Sequence, residues 1–306
     1  MKAIITGSNG LLGSALKKQL GENHIYHTRK DCDLLKLKQT SLYFLAKKFE
    51  NADTLIHCAA KVGGVQANMN NNQKFFYDNI SINSIVINSA IKCNFKNVVN
   101  ILSTCIFPDK EVTYPLTADQ IDNGKPHSSN HGYSYAKRLL YHSTKYAREV
   151  TGNNWISIIP TNIYGPNDNF NLENSHLVPA LIRKAFEASK TGQDFVVWGD
   201  GTPLRQFIYS EDLAKIIIWA IDNWNSGTPM MAINETEYSI KQIVDIIADR
   251  FQISQERIKF DTDRPNGQFR KPAKTDVPSD FKFTSIEEGI NKTIDWFIQN
   301  FDQIRE

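Results

Sequence analysis

The sequence predicts an α/β protein in which a doubly wound parallel sheet is joined to a second, smaller α/β domain. Three observations lead to this prediction. Short apolar strands alternate with amphipathic helices through the first half, a glycine-rich loop follows the first strand, and the alternation stops after Gly165-Pro166. Alternating strands and helices favour parallel strands with helices on both faces, because crossover connections are right-handed.

The elements of the first half follow from apolar periodicity. Short apolar runs predict strands, and apolar residues three or four positions apart predict helices. In order, the elements are the strand KAIIT (2–6), the helix Leu11–Leu20, the strands HIYHT (24–28) and DTLIHCAA (53–60), the helix FFYDNISINSIVINSAIKC (75–93), the strand NVVNILS (97–103), the helix SYAKRLLYHSTKYAREV (134–150) and the strand WISIIP (155–160).

The second half has a different pattern. A polar stretch precedes a helix over 176–188 that Pro179 should interrupt early, followed by the strand FVVW (195–198). Ser210 should cap an apolar helix over 210–224, and Ser285 with Glu288 forms a potential capping box for a final helix. We therefore expect a nucleotide-binding domain over 1–165, with a return near 206–235. The substrate domain would then comprise 166–205 and 236–306.

Composition excludes several classes of protein. The 306 residues carry a formal net charge of +2, which gives no reason to expect nucleic acid or membrane binding through bulk charge. No apolar run approaches the ~20 residues of a membrane span, and no secretory signal is recognisable at the N-terminus. The four cysteines form no CxxC pair, so we expect reduced thiols in the cytoplasm, with neither disulfides nor a metal site.

The loop TGSNGLLG joins the first strand to the first helix. It contains Gly7, Gly10 and Gly13, which is the spacing that lets backbone approach a pyrophosphate at a helix N-terminus. This context predicts a Rossmann-type dinucleotide site that includes Ser8, Asn9, Leu11 and Leu12. The alternative is a plain strand–helix turn.

The second strand ends in HTRKD, where an NAD-preferring site usually places a carboxylate. Arg29 and Lys30 occupy this place ahead of Asp31. Because basic side chains suit the 2′-phosphate of NADP, we expect NADP(H) as cofactor. A solvated pair of loop charges is the alternative.

The segment YSYAK places Tyr133 and Lys137 four residues apart, on one face of a helix. A nearby ammonium should lower the pKa of the Tyr133 phenol, and such a tyrosine can pass a proton to a carbonyl oxygen. Tyr135 should face elsewhere. In ILSTCIFP, Ser103 and Cys105 are two residues apart where a strand ends, so extended backbone would point both to the same side. Taken alone, they are more typical of a strand cap and a core residue.

These features together resemble the extended short-chain dehydrogenase/reductase family. Within it, they are most similar to the branch that epimerises and then reduces GDP-4-keto-6-deoxy-D-mannose. The similar segments are AAKVGG (59–64), STCIFPDK (103–110), GYSYAKR (132–138), PTNIYGPNDNFN (160–171), NSHLVPAL (174–181), WGDGTPLRQFIYSEDLA (198–214) and NGQFRK (266–271).

The resemblance implies a role for each matching residue. Ser103, Tyr133 and Lys137 would reduce C4, while Cys105 as base and His176 as acid would invert C3 and C5. Lys137, His176 and the segment Pro160, Thr161, Asn162 and Ile163 would also contact the cofactor. The GDP-sugar would bind Lys184, Trp198, Arg205, Asn266 and Lys271. Asn266 replaces the Asp that is common in the family, and so removes a charge there.

The resemblance also implies a homodimer that pairs through the helices that include the Tyr133 helix. The main rival functions are a GDP-sugar 4-reductase of a colitose or heptose pathway and a GDP-mannose 3,5-epimerase that recycles a bound NAD. Arg29, Lys30 and His176 argue against the epimerase. A non-catalytic NADP sensor is disfavoured, because the Ser-Tyr-Lys set is complete and is accompanied by Cys105 and His176. A 4,6-dehydratase is disfavoured, because Cys105-Ile106 lies where those enzymes carry an acidic pair.

Overall fold

The first half of the chain forms alternating strands and helices, as the sequence predicts. The computed structural model describes residues 1–110, 112–264 and 268–305. The elements are β1 (Ala3–Thr6), α1 (Leu11–Leu20), β2 (Ile25–His27), α2 (Leu37–Phe49), β3 (Thr54–His57), α3 (Val65–Asn70), α4 (Asn72–Lys92), β4 (Asn97–Ile101), α5 (His131–Thr151) and β5 (Asn154–Pro160). Helices α2 and α3 are additions to the predicted set.

The second half contributes shorter strands and further helices. They are β6 (Asn162–Tyr164), α6 (Leu177–Thr191), β7 (Phe195–Trp198), β8 (Leu204–Tyr209), α7 (Ser210–Asn223), β9 (Met230–Ala232), β10 (Glu237–Ser239), α8 (Ile240–Arg250), β11 (Ile258–Asp261) and α9 (Ile286–Gln299). None of the helices in the described ranges is both long and apolar enough to cross a membrane.

The main sheet is parallel and has the strand order β2-β1-β3-β4-β5-β9. This confirms the predicted doubly wound α/β fold. The direction of strand addition reverses between β1 and β3, and ligands of such sheets bind in the crevice outside the carboxyl ends of the strands at this point. Smaller sheets join β10, β8 and β6, and β11 with β7.

Both faces of the main sheet are covered. One core cluster includes Phe44 of α2, Val86 of α4 and Leu140 of α5, and another includes Leu16 of α1 and Ile217 of α7. A further cluster packs α6, α8 and α9 around β7 and β8. The proposed domain boundaries stay a prediction.

Three local predictions can be compared with the structure. Pro179 does not interrupt α6, because it lies in the first turn, where a backbone N–H has no intrahelical partner. Ser210 is not a cap: Tyr209 has the N-cap position, and the buried Ser210 hydroxyl has no hydrogen-bond partner among the described residues. Ser285 does cap α9, since its side chain accepts a hydrogen bond from the N–H of Glu288, but the capping box is only half formed because the Glu288 side chain pairs with Lys292.

Candidate active site

A cavity of about 1480 Å³ opens at the carboxyl ends of β1, β3, β4 and β5. Its other wall comes from α6, β7 and β8. The cavity is therefore at the crevice that the sheet topology favours, and it is large enough for both a dinucleotide and a nucleotide-sugar. Nearly all the residues predicted from the sequence line it.

The glycine loop forms one end of the cavity, which all of residues 7–13 line. Gly7 has φ +69°, and a Cβ there would lie 2.9 Å from the backbone of Ala59. Helix α1 begins at Leu11 without a side-chain cap, so its first-turn N–H groups are available to an anion. This cradle fits the diphosphate of a dinucleotide.

The opposite wall of this end is formed by the segment after β5. Pro160, Thr161, Asn162 and Ile163 all line the cavity. The buried Thr161 hydroxyl has no hydrogen-bond partner among the described residues, which leaves it available to a bound group. The Asn162 side chain donates to the carbonyl of Gln206 at 2.8 Å and so joins β6 to β8.

Of the two basic residues after β2, the structure brings one to the cavity. The Arg29 side chain lines the cavity, is 80% exposed and has a long ion pair of 3.9 Å with Asp33. Lys30 lies outside the cavity lining. Asp31 turns back to accept hydrogen bonds from the backbone N–H and the hydroxyl of Thr28, both at 2.7 Å. Arg29 is thus the cation available to a 2′-phosphate.

Tyr133 and Lys137 lie on one face of α5, as their spacing predicts. The Lys137 ammonium is 5.8 Å from the centroid of the Tyr133 ring and donates a 2.7 Å hydrogen bond to the carbonyl of Ile101. Burial lowers the pKa of Lys137 to about 8. Tyr135 packs against Arg138 and His131 instead, outside the cavity lining.

The expected lowering of the Tyr133 pKa is wrong for this structure. Burial raises the pKa of the phenol, and the neighbouring Cys105 raises it further. A phenol in this environment keeps its proton at neutral pH. That state suits a group that donates a proton to a substrate oxygen.

Ser103 and Cys105 both line the cavity, but the reason differs from the one predicted. β4 ends at Ile101, and residues 104–106 form a 3₁₀ turn that Ser103 caps. The Ser103 hydroxyl accepts a hydrogen bond from the N–H of Cys105 at 3.2 Å. The turn, and not strand alternation, brings the thiol beside the hydroxyl. The Ser103 proton stays available to a substrate oxygen.

His176 lies at the N-terminus of α6 and faces the cavity. Desolvation by the surrounding protein lowers the pKa of His176, and the positive charge of Arg305 lowers it further. The loop before His176 is fixed to the loop after β3, because the N–H of Gly64 donates to the carbonyl of Asn174 at 2.9 Å. A Cβ at Gly64 would lie 2.3 Å from the carbonyl oxygen of Ser175, so this contact requires glycine.

The far wall of the cavity is basic and aromatic. The Lys184 ammonium and the Arg264 guanidinium lie 4.8 and 5.1 Å from the centroid of the Trp198 ring, which is 46% exposed. Arg264 has a long 3.7 Å ion pair with Asp261. Burial, followed by the charge of Arg264, lowers the pKa of Lys184. Two cations on one exposed indole suit an anionic ligand with an aromatic ring.

Arg205 and Lys271 complete this wall. Arg205 donates to the carbonyls of Leu204 at 2.8 Å and Phe269 at 3.3 Å, and Lys271 donates to the carbonyl of Phe107 at 3.5 Å. Burial lowers the pKa of Lys271, while Cys105 acts in the opposite direction. Lys271 therefore lies within electrostatic reach of the thiol. Asn266 lies outside the described residues.

Many cavity residues were not predicted from the sequence as site residues, among them Cys58, Asp168, Arg264 and Arg305. Burial raises the pKa of the Cys58 thiol to about 12 and that of the Asp168 carboxyl to about 7. The second carboxyl oxygen of Asp168 is buried without a hydrogen-bond partner in the described ranges. Asp168 lies within the segment 160–171 that carried the resemblance, whereas no local signal indicated Arg305.

Known proteins of similar sequence and structure match this chain over nearly their whole length. A GDP-L-fucose synthase of Dictyostelium discoideum is 39% identical over 99% of this chain and 97% of its own. A GDP-L-colitose synthase of Yersinia pseudotuberculosis is 32% identical over 97% and 98%. The crystal structure of a GDP-L-fucose synthetase from Naegleria fowleri bound to NADP superposes with a TM-score of 0.90 at 35% identity, covering 99% of this chain and 94% of that one.

The family profile described as NAD dependent epimerase/dehydratase family matches residues 3–234. This match covers the glycine loop, the Tyr133 helix and the His176 loop. It confirms the resemblance stated from the sequence. The chain therefore belongs to the NAD dependent epimerase/dehydratase family.

Proposed function

We propose that this protein is a GDP-L-fucose synthase. It inverts C3 and C5 of GDP-4-keto-6-deoxy-D-mannose and then reduces C4 with NADPH. The observation that carries the proposal is that one cavity is lined by two sets of residues beside the glycine loop. Ser103, Tyr133 and Lys137 suit reduction, and Cys105 with His176 suits epimerisation. The relatives of 39% and 35% identity support the same substrate and cofactor.

Epimerisation uses the acidity that the C4 ketone gives to the protons on C3 and C5. The Cys105 thiolate removes a proton from one face, and the His176 imidazolium returns one to the other face. Ser103 donates a hydrogen bond to the C4 oxygen, which stabilises the enolate formed in between. Thiolate and imidazolium become thiol and imidazole, and solvent restores both.

Reduction follows at the same carbonyl. NADPH, when bound, supplies the hydride to C4. Tyr133 donates its proton to the C4 oxygen, so the product leaves as an alcohol and the phenolate is reprotonated from solvent. The ammonium of Lys137, 5.8 Å from the Tyr133 ring centroid, stabilises the phenolate.

The GDP moiety of the substrate would lie along the far wall. Lys184, Arg205 and Lys271 supply positive charge for the diphosphate, and Trp198 offers an aromatic face. Arg264 adds a further cation at the same indole. Asn266 is proposed to contribute through its amide oxygen alone.

We also propose a homodimer that forms through α4 and α5. These helices pack together and expose large apolar side chains at Tyr77, Ile91, Leu139, Tyr146 and Val150. Free cysteines favour a reducing compartment, so we place the dimer in the cytoplasm.

The function is tested by incubating the protein with NADPH and GDP-4-keto-6-deoxy-D-mannose and identifying the product sugar by NMR. GDP-L-fucose formed with one NADPH consumed per product supports the proposal. Turnover without net NADPH consumption would instead indicate a recycling epimerase. The 32% identity to a GDP-L-colitose synthase makes the precursor of GDP-L-colitose the second substrate to test. Activity on that sugar alone would make the protein a colitose-pathway reductase.

A further inference from the structure

The penultimate residue of the chain, Arg305, reaches the glycine loop near the other end of the sequence. Arg305 lines the cavity together with Asn9 and Gly10. Its Nη1 atom would lie 3.6 Å from a Cβ placed on Gly10, so the guanidinium lies over the start of α1. The C-terminal segment thus forms part of the wall of the cradle.

The backbone of Arg305 is held in this place by contacts within the second half of the chain. Its carbonyl accepts a hydrogen bond from the N–H of Phe170 at 3.1 Å, and Arg305 forms a β-bridge with Asn169. Phe301 and Ile304 just before it pack on the core cluster of α6, α8 and α9. The backbone of Arg305 is therefore positioned by the fold, and its exposed side chain extends from this fixed point.

The charge at this position lacks a close partner. In the part of the chain that the structure describes, the Arg305 guanidinium makes no hydrogen bond and no ion pair. Asp168 is the carboxyl that interacts with it at longer range. A helix N-terminus carries partial positive charge, so a cation over it is repelled unless an anion lies between them. The N–H groups of α1 and the guanidinium face the same volume, and both donate to phosphate oxygens.

We propose that Arg305 binds the diphosphate of the dinucleotide cofactor beside the α1 N-terminus, so that the C-terminal segment forms part of the wall around the cofactor. This inference rests on the NADP(H) use proposed above. It assigns different phosphates to the two arginines of this end: the diphosphate to Arg305 and the 2′-phosphate to Arg29. Because NADH and NADPH share the diphosphate, Arg305 should contribute equally to the binding of both.

The test measures the dissociation constants of NADPH and NADH by fluorescence titration of the full-length protein without sugar substrate. Arg305→Met keeps an unbranched apolar stem, and we expect it to weaken both cofactors by a similar factor, about 10- to 100-fold. Arg305→Lys should recover part of this loss. Arg29→Met should weaken NADPH alone. Asp302→Asn is the control, because it changes one unit of charge on the same exposed segment. It should bind both cofactors as tightly as wild type does.

Two outcomes would overturn the proposal. The first is wild-type affinity of Arg305→Met for both cofactors. The second is an equal loss of cofactor affinity in Arg305→Met and Arg305→Lys, accompanied by a lower melting temperature of both variants without cofactor. That result would show that Arg305 contributes to packing alone. The proposed function fails separately: a protein that binds NADPH through Arg305 yet converts no GDP-keto-sugar refutes the activity and keeps this inference.

Discussion

The ammonium nitrogen of Lys137 lies 2.7 Å from the carbonyl oxygen of Ile101, the last residue of β4. This bond joins α5 to the strand whose continuation carries Ser103 and Cys105. The helix that presents Tyr133 is thereby fixed relative to the turn that presents the thiol. The same lysine thus has a structural contact and a proposed catalytic role.

The buried ammonium of Lys137 should make stability depend on pH. Its pKa in the folded protein is about 8 against 10.5 ordinarily, so between these values the unfolded chain binds more protons. The stability of wild type relative to Lys137→Met should therefore rise between pH 8 and pH 10.5, by up to about 3 kcal/mol. Urea denaturation of both proteins at pH 7.5 and 10 measures this difference. A difference that does not change with pH would contradict it, and Lys145→Met on the exposed side of α5 is the control.

Removal of the Tyr133 hydroxyl should stop reduction and spare the proton exchange that precedes it. We expect Tyr133→Phe to lower the rate of NADPH oxidation by about 10²- to 10⁴-fold, because the C4 oxygen loses its proton donor. Solvent deuterium should still enter C3 and C5. Tyr135→Phe is the matched control on the same helix, and full reductase activity in Tyr133→Phe would refute the assignment.

Cys105 should be needed for exchange and dispensable for cofactor binding. Cys105→Ser should slow deuterium incorporation at C3 and C5 by at least about 100-fold, since a serine hydroxyl is a much weaker base. NADPH should bind as in wild type. NMR of the recovered sugar measures the exchange, with Cys93→Ser, a buried cysteine outside the cavity, as control. Exchange at the wild-type rate would show that another group is the base.

Exchange that depends on His176 as acid should fall as pH rises. The pKa of His176 is lowered below 6.5, so the imidazolium is lost at a more acidic pH than for an ordinary histidine. Arg305→Met removes a positive charge that contributes to this shift and should move the falling limb of the pH profile to higher pH. Exchange rates from pH 5 to 8 in wild type, Arg305→Met and Asp302→Asn measure the movement. Coincident profiles of the first two would contradict it.

The dimer should depend on the exposed apolar face of α5. Val150 and Tyr146 are 82% and 60% exposed in the monomer. A glutamate at either position would remove apolar contact from the proposed dimer interface and bury an unpaired charge there. We expect Tyr146→Glu to sediment as a monomer at micromolar concentration. Phe49→Glu, which changes an 81% exposed apolar side chain of α2, should remain dimeric. A wild-type protein that sediments only as a monomer would refute the proposed dimer.

Local patterns predicted the parts of the site that depend on a few neighbouring residues. The glycine loop and the Tyr133–Lys137 pair are of this kind, because turn geometry and helical periodicity act within a few residues. The 3₁₀ turn at 104–106 was not predicted, because the local sequence is compatible both with such a turn and with a continued strand. It brought Cys105 to the cavity for a reason different from the expected one.

Contacts between distant segments could not be predicted in the same way. Arg305 lies beside Gly10, although almost the whole sequence separates the two residues. The pKa of Asp168 is raised by burial, which results from tertiary packing and has no local sequence pattern. The strands β6 and β10 are three residues long, which is too short for an apolar pattern to predict a strand. Each is defined by its pairing with β8, and this pairing joins segments that are distant in the sequence.

The hydrogen bond from Gly64 to Asn174 has a consequence for how such a cavity can change over time. It attaches the loop of the proposed acid to the frame that carries the base and the proton donor, whereas Trp198 and Arg205 lie on β7 and β8. Lys184, by contrast, lies on α6, the helix whose N-cap is His176. Substitutions at Trp198 or Arg205 can therefore alter which sugar nucleotide is accepted while His176 keeps its place relative to Cys105, so substrate range can vary while the proton-transfer geometry is held.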